Sequence, residues 1–278
     1  MSLKLHKPCV LATINGDAVP VVNAGLQLSL YTRANTGWLQ VPRGVLKGID
    51  AYTPVNLEMS YAHGGPPGVY KMYASDQPPT GDRLQIFDKW FELSSAKNEL
   101  ITTLSMVTFD TLLAQLLLPA GVTPVTVPFA WLKPKFHLWR ESRKSAIERA
   151  EREFEIKPLM FFHRDEMFYC GVMPPPSPTV PNIEMGKHVV GRIEEGERRT
   201  EYDYQDIPEE YQSVGQRWDE ANSERLIKYL RVPTVWMPWI WPGDVLVFVD
   251  VEYGGTYRVG ACEHRVMPYG STLELEEL

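Results

Sequence analysis

The sequence predicts a mainly β protein with an α+β insertion: two related β-barrel units flanking a helical middle. Three observations predict it. Apolar and polar residues alternate through much of the first hundred residues and again near the C-terminal end, the period of a strand with one buried face. Helical spacing is confined to short stretches between these regions. An eight-residue phrase also occurs twice, GDRLQIFD at Gly81–Asp88 and GDVLVFVD at Gly243–Asp250, with the Gly, Asp, Leu and closing Asp in common. Each copy follows a turn residue, Thr80 or Pro242, and leads into another long β segment, as two copies of one unit would.

Taken in order, LATINGDAVPVV is two apolar runs around Asn15-Gly16, a strong hairpin signal. Leu26, Leu28 and Leu30 alternate with polar neighbours, and Val55, Leu57, Met59 and Tyr61 alternate with Asn56, Glu58 and Ser60. Leu84–Leu93 and Leu100–Val107 read as further strands, rich in β-branched or aromatic residues. The character then changes. TFDTLLAQLLLP predicts a short buried helix with Thr108 or Asp110 as N-cap and Pro119 as stop. In ESRKSAIERAEREFEI, Ala146, Ile147, Ala150 and Phe154 share one helical face. KPLMFFHRDEMFYCGV predicts a hairpin turning at His163–Glu166. Five prolines in Val172–Pro181 preclude a helix and predict an extended linker. Beyond it, a helix is expected at about 219–230, with Leu226, Ile227 and Leu230 as its apolar face. Strands are expected at Asp244–Val251, Thr256–Val266 and Ser271 to the end. Val245, Val247, Val249 and Val251 line one side of the first of these and Leu246 and Phe248 the other, which predicts a strand covered on both faces. The expected units are therefore 1–107 (first barrel), 108–181 (helix–hairpin, ending in the linker) and 182–278 (second barrel).

Composition narrows the function. The net charge is −7, and residues 184–220 hold 11 acidic side chains against 5 basic ones. That balance argues against nucleic-acid binding, which needs a basic surface. Proline is abundant, 23 in 278 residues, which favours turns and short strands. Cys9, Cys170 and Cys262 are widely spaced and contain no CxxC pair, so neither a disulfide framework nor a zinc knuckle is indicated, and a reducing cytosol is the expected setting of folding. The N-terminus has no sustained apolar h-region, and Leu112–Leu118 is far too short to span a bilayer.

Candidate chemistry is sparse. Cys262, Glu263 and His264 suggest a nucleophile, but on a strand Glu263 faces away from the other two and cannot orient His264, so a packed structural pair is expected. His163, Asp165, Glu166 and Cys170 form a superficially metal-like set. They lack a second nearby histidine, and a polar turn explains them. His6, His63, His137 and His188 are scattered singly. AHGGPPG (Ala62–Gly68) lacks the Lys-Ser/Thr and following helix of a phosphate loop. Trp131, Trp139, Trp236, Trp239 and Trp241 could stack on sugars or bases, and the last three fit a barrel-end core equally well. No catalytic, cofactor or metal residue is assigned.

The segment RWDEANSERLIKYLRVPTVWMPWIWPGDVLVFVDVEYGGTYRVGACEHRVMPYGSTLELEEL resembles the close of the baseplate hub proteins of tailed phages, of the Mu-like and late-control-protein-D type. GDRLQIF with ITTLSMVTFDTLLAQLL is similar to that family's first barrel running into its first helix, and SRKSAIERAEREFEIKPLMFFHRDEMFYCG to its middle unit. The resemblance implies tube-like barrels in a non-enzymatic homotrimeric ring, six similar units that adapt a sixfold tail tube to a threefold spike. It implies as partners the central spike, the tail tube or distal tail protein and, as a further candidate, the tape measure protein. DNA would pass transiently through the lumen without specific binding, and the location is the virion after synthesis in the host cytoplasm. It also gives the acidic second half a role in the lumen, repelling DNA, with a solvated outer face as the alternative. The competing functions are a tail-associated cell-wall hydrolase, which needs paired carboxylates in a cleft, and a carbohydrate-binding tail-tip adaptor.

Overall fold

A computed structural model describes residues 7–62, 66–77, 79, 81–95, 99–126, 132–156, 159–164, 166–177, 182–200 and 225–278. The Asn15-Gly16 signal folds as expected. Strands β1 (Pro8–Ile14) and β2 (Asp17–Val19) pair with Ile14 opposite Asp17, and both turn residues take positive φ, 53° and 91°. Strands β3 (Asn23–Ser29), β4 (Thr36–Gln40), β5 (Pro54–Tyr61), β6 (Gly68–Ala74) and β7 (Arg83–Phe87) follow. Val55, Leu57 and Met59 are wholly buried along β5 while Asn56 faces solvent, as the alternation predicts.

The expected strand Leu84–Leu93 is shorter. It ends at Phe87, and Asp88 caps a one-turn helix, α1 (Lys89–Glu92), by accepting from the Trp90 amide at 3.1 Å. Strand β8 (Leu100–Thr108) does not join the other early strands. It runs into α2 (Phe109–Leu117) and a short 3-10 turn at Leu118–Ala120, followed by β9 (Thr123–Thr126). Its partner is β10 (Leu132–Glu141), which leads into α3 (Arg143–Glu153), N-capped by Ser142. A hairpin of β11 (Phe161–Arg164) and β12 (Met167–Cys170) follows, with β9 added in parallel to β12. Ala146, Ile147 and Ala150 are fully buried on α3, as its spacing predicts. They close a core with Trp90, Phe109, Leu112, Phe136, Phe161 and Phe168.

The last third supplies β13 (Ile183–Glu184), β14 (Glu194–Thr200), β15 (Arg225–Thr234), β16 (Val245–Val249), β17 (Gly255–Arg265) and β18 (Gly270–Glu277). The expected helix at 219–230 is not borne out where it can be seen. Residues 219–224 lie outside the described residues, and 225–230 belong to β15, which ladders between β14 and β18. Leu226, Ile227 and Leu230 fit a helical stripe locally. Pairing of Leu226 and Ile227 with β14, and of Leu230 with both β14 and β18, overrides it, leaving Ile227 buried and Leu226 exposed.

Thirteen strands form one sheet, ordered β14-β15-β18-β17-β3-β4-β7-β6-β5-β1-β2, with β16 and β13 attached beside β17. Among the described residues this path is open at both ends. The early and late strands meet at the antiparallel β17–β3 pair rather than closing as separate barrels. One core serves both sets, with Leu26, Leu57, Met59 and Ile86 packed among Val232, Leu246, Phe248 and Leu273. The sheet curls enough for the Tyr61 hydroxyl to donate to the Trp236 carbonyl at 2.5 Å, and for Tyr70 to donate to that of Pro238.

The repeated phrase performs one local task twice. Gly81 (φ 68°) and Gly243 (φ 94°) make the turn, Leu84 and Leu246 then Ile86 and Phe248 point inward, and the closing Asp binds backbone amides. The second copy departs from expectation on its other face. Val247 and Val249 are 43% and 49% exposed and Val251 fully so, because nothing in the described chain covers that side of β16. Space separates the two glycines. A Cβ at Gly81 meets nothing, whereas one at Gly243 runs into the Pro174 ring. Gly81→Ala should therefore cost about 1 kcal/mol of stability, from backbone conformation alone. Gly243→Ala should cost more, about 3 kcal/mol. Equal costs in urea denaturation would refute the steric account.

Candidate functional site

The polar groups best placed for chemistry gather where the β11–β12 hairpin meets the sheet. Asp244, second residue of the late phrase, is completely buried. Its carboxylate accepts from the Arg164 guanidinium at 3.2 Å, the Ser177 amide at 2.7 Å and the Trp241 amide at 2.8 Å. Arg164 also donates to the Pro175 carbonyl and the Ser177 hydroxyl, and its guanidinium lies 5.5 Å from the Trp241 ring centre. This arrangement corrects two expectations. His163 and Arg164 lie not in a turn but in β11, buried, with His163 opposite Phe168 and Arg164 opposite Met167. That register carries the strand pairing as far as Arg164 and Met167. Asp165 is outside the described residues, and Glu166 has φ 63°. The first half of the proline-rich stretch is likewise no free linker, since Pro175 and Ser177 are fastened to the Arg164–Asp244 pair.

Asp88 closes the early phrase in a similarly dry setting. It accepts from the Asn35 amide at 2.9 Å and side chain at 2.8 Å, as well as from Trp90. Burial pushes its carboxyl up to about 7 against the pull of these donors. The neighbouring clamp is Arg33, which pairs with buried Glu151, donates to the Leu159 carbonyl at 3.1 Å and lies over Trp90 and Phe161.

His264 is wholly buried between two partners. The Ile240 carbonyl, 3.0 Å from Nε2, can only accept, so Nε2 carries the proton and Nδ1 accepts from the Ser271 hydroxyl at 2.9 Å. Ser271 Oγ in turn accepts from the Met237 amide at 2.8 Å. A neutral ring satisfies every group in this chain, and burial holds its pKa down to about 4. Cys262 lies on the same side of β17 with its thiol pushed up by burial and then by Asp244, the opposite of an activated nucleophile. Glu263 faces outward. Cys170 is buried, with its thiol also pushed up by burial.

The other candidates do not converge. His188 Nδ1 accepts from the Glu184 amide in a turn, and His137 contacts Thr103 across the β8–β10 ribbon. His6, His63 and Trp131 lie outside the described residues. Trp236, Trp239 and Trp241 pack on the main core, while Trp139 stands 69% exposed on the ribbon beside His137. Among the described residues no group of three or more His, Cys, Asp or Glu could hold a metal. The Arg164–Asp244 pair escapes sequence reasoning because 80 residues separate its members. Its one local signal is the GD repeat.

No protein-family model and no curated protein matches the sequence. Solved structures do. The chain is similar to the 43 kDa tail protein of prophage MuSo2 from Shewanella oneidensis, with 10% identity over 96% of each chain and a TM-score of 0.60. It is similar to the tail protein from Neisseria meningitidis MC58, with 11% identity over 98% of this chain and 97% of that one and a TM-score of 0.62. It also matches a chain of the half-lidded Francisella PdpA–VgrG complex at 8% identity, covering 98% of this chain and 58% of that one, with a TM-score of 0.54. The fold is that of phage tail proteins, the class to which the sequence resemblance pointed.

Two outcomes follow. Asp244→Asn removes the buried carboxylate that pairs with Arg164 and should cost about 3–5 kcal/mol. Adding Arg164→Met should return much of it in urea denaturation, and additive losses would show that the pair is not coupled. His264 has a folded pKa near 4, below its unfolded value of about 6.5, so its contribution is full above 6.5 and lost as pH falls toward 4. His163, held down to about 4 by burial and then by Lys89 and Lys71, acts in the same sense. Asp88 opposes both, its contribution fading as pH rises from about 4 through 7. His264→Gln should remove about 3 kcal/mol of the decline between pH 6.5 and 4. An unchanged pH slope would contradict the buried neutral ring.

Proposed function

We propose that the chain is a tail hub: a non-catalytic homotrimeric ring that adapts a sixfold tail tube to a threefold spike and forms part of the channel for DNA. The observation that carries this reading is the full-length fold shared with the two prophage and bacterial tail proteins. Further support comes from the repeated phrase, which builds the same turn and strand in the units at 1–107 and 182–278. Three chains would then present six similar sets of strands around one axis, the two sets of each chain joined at the β17–β3 pair. The uncovered Val247–Val249–Val251 stripe on and beyond β16 is apolar surface that a neighbouring copy would bury.

The proposed partners are the central spike, the tail tube or distal tail protein, and the tape measure protein, and the proposed location is the virion. The likeness to a chain of the PdpA–VgrG complex supports a place in such an assembly. A structural role also accounts for thiols and imidazoles held unreactive by burial. Among the described residues, no helix is long and apolar enough to cross a membrane.

Negative-stain electron microscopy of the purified chain tests the reading. Threefold rings with a central hole and six lobes are expected, and Val247→Asp with Val249→Asp should dissociate them without unfolding the chain. Compact particles that acquire no threefold symmetry even when mixed with a spike would refute it.

A further inference from the structure

His163 is buried to 92% of its surface, yet its Nε2 has no hydrogen-bond partner among the described residues. Such an atom costs about 1–3 kcal/mol if it stays unpaired. The ring borders a partly open pocket of about 50 Å³, walled also by Asn35, Tyr70, Asp88, Arg164 and Trp241, with half-exposed Val69 and Lys71 at its mouth. A water molecule needs about 10–15 Å³ of such space and two to four polar partners. The cavity therefore has room for about three.

Its wall carries a guanidinium already paired with Asp244 and a carboxyl already bound by Asn35 and Trp90. Lys71, at the rim, pairs with Glu166. A lone anion would face Asp88 and a lone cation would face Arg164, whereas a neutral dipole suits both. The Tyr70 hydroxyl spends its proton on the Pro238 carbonyl, which leaves its oxygen free to accept.

We propose that this pocket is a structural hydration site, holding a small water cluster that bridges His163 Nε2 to the Tyr70 hydroxyl oxygen and the Asp88 carboxyl. The cluster would join three elements: β11, β6 and the cap of α1. It would lie beside the Arg164–Asp244 pair and complete the seam between hairpin and sheet. The inference stands independently of the hub reading, since it concerns one folded chain.

A crystal structure of the full chain tests it. Density that refines as water about 2.7–3.2 Å from His163 Nε2 is expected. An empty cavity would overturn the proposal, as would a peak with anomalous signal after a bromide soak, which would mark an anion instead. Thermal unfolding supplies a second arm. His163→Phe should lower Tm by a few degrees because it strands the waters, and His163→Gln, which keeps a polar end, should lower it less. A rise in Tm for His163→Phe would mean that the cavity is dry and the nitrogen merely orphaned, which would also overturn it. If His163→Phe fails to fold, the crystal structure of the unaltered chain decides alone.

Discussion

The seam between sheet and hairpin depends on one buried ion pair. Asp244 is fully buried and would be intolerable there as a bare carboxylate. Arg164 supplies the counter-charge, and two backbone amides take up the remaining lone pairs. Each of these donors belongs to a different stretch of chain: the hairpin, the proline-rich stretch and the turn that opens β16. Satisfying a single carboxylate therefore fixes three segments against one another. A hydrophobic replacement could be as stable. It would not direct where the proline-rich stretch must run.

Arg33 plays a matching part on the opposite side of the hairpin. It leaves the loop between β3 and β4, pairs with Glu151 of α3 and caps the Leu159 carbonyl while lying over Trp90 and Phe161. The helical unit is thereby tied to the early strands by Arg33 and to the late ones by Arg164. Both arginines sit against aromatic rings, which keep water from the guanidinium planes and strengthen the paired charges. The single core beneath the sheet completes this arrangement, since residues of the early and late strands pack side by side. The early and late strands, sharing a core and a strand pair, are thus packed into one continuous sheet.

Much of this was legible in the sequence. The Asn15-Gly16 hairpin, the buried face of β5, the face of α3 and the three closing strands all follow from local periodicity and turn chemistry, because each concerns residues adjacent in the chain. The repeated GD phrase marked two equivalent positions correctly. The packed, unreactive nature of Cys262 and His264 was also foreseeable from strand alternation, although their partners Ile240 and Ser271 were not.

Only the tertiary structure decided the rest. Leu226, Ile227 and Leu230 carry a helical stripe, yet β14 and β18 offer hydrogen-bonding edges that no local pattern records, and the segment becomes a strand. His163 and Arg164 look like turn residues until the β11–β12 register pairs them with Phe168 and Met167 and buries both. Whether the strands close as two barrels or continue as one sheet depends on the β17–β3 pairing, a contact between residues more than two hundred positions apart. The sequence by itself determined which short segments extend, turn or coil, because those preferences are set within a few residues. Partner choice among strands, and the burial that turns Arg164 and Asp244 into a seam, depend on long-range closure that no local preference encodes.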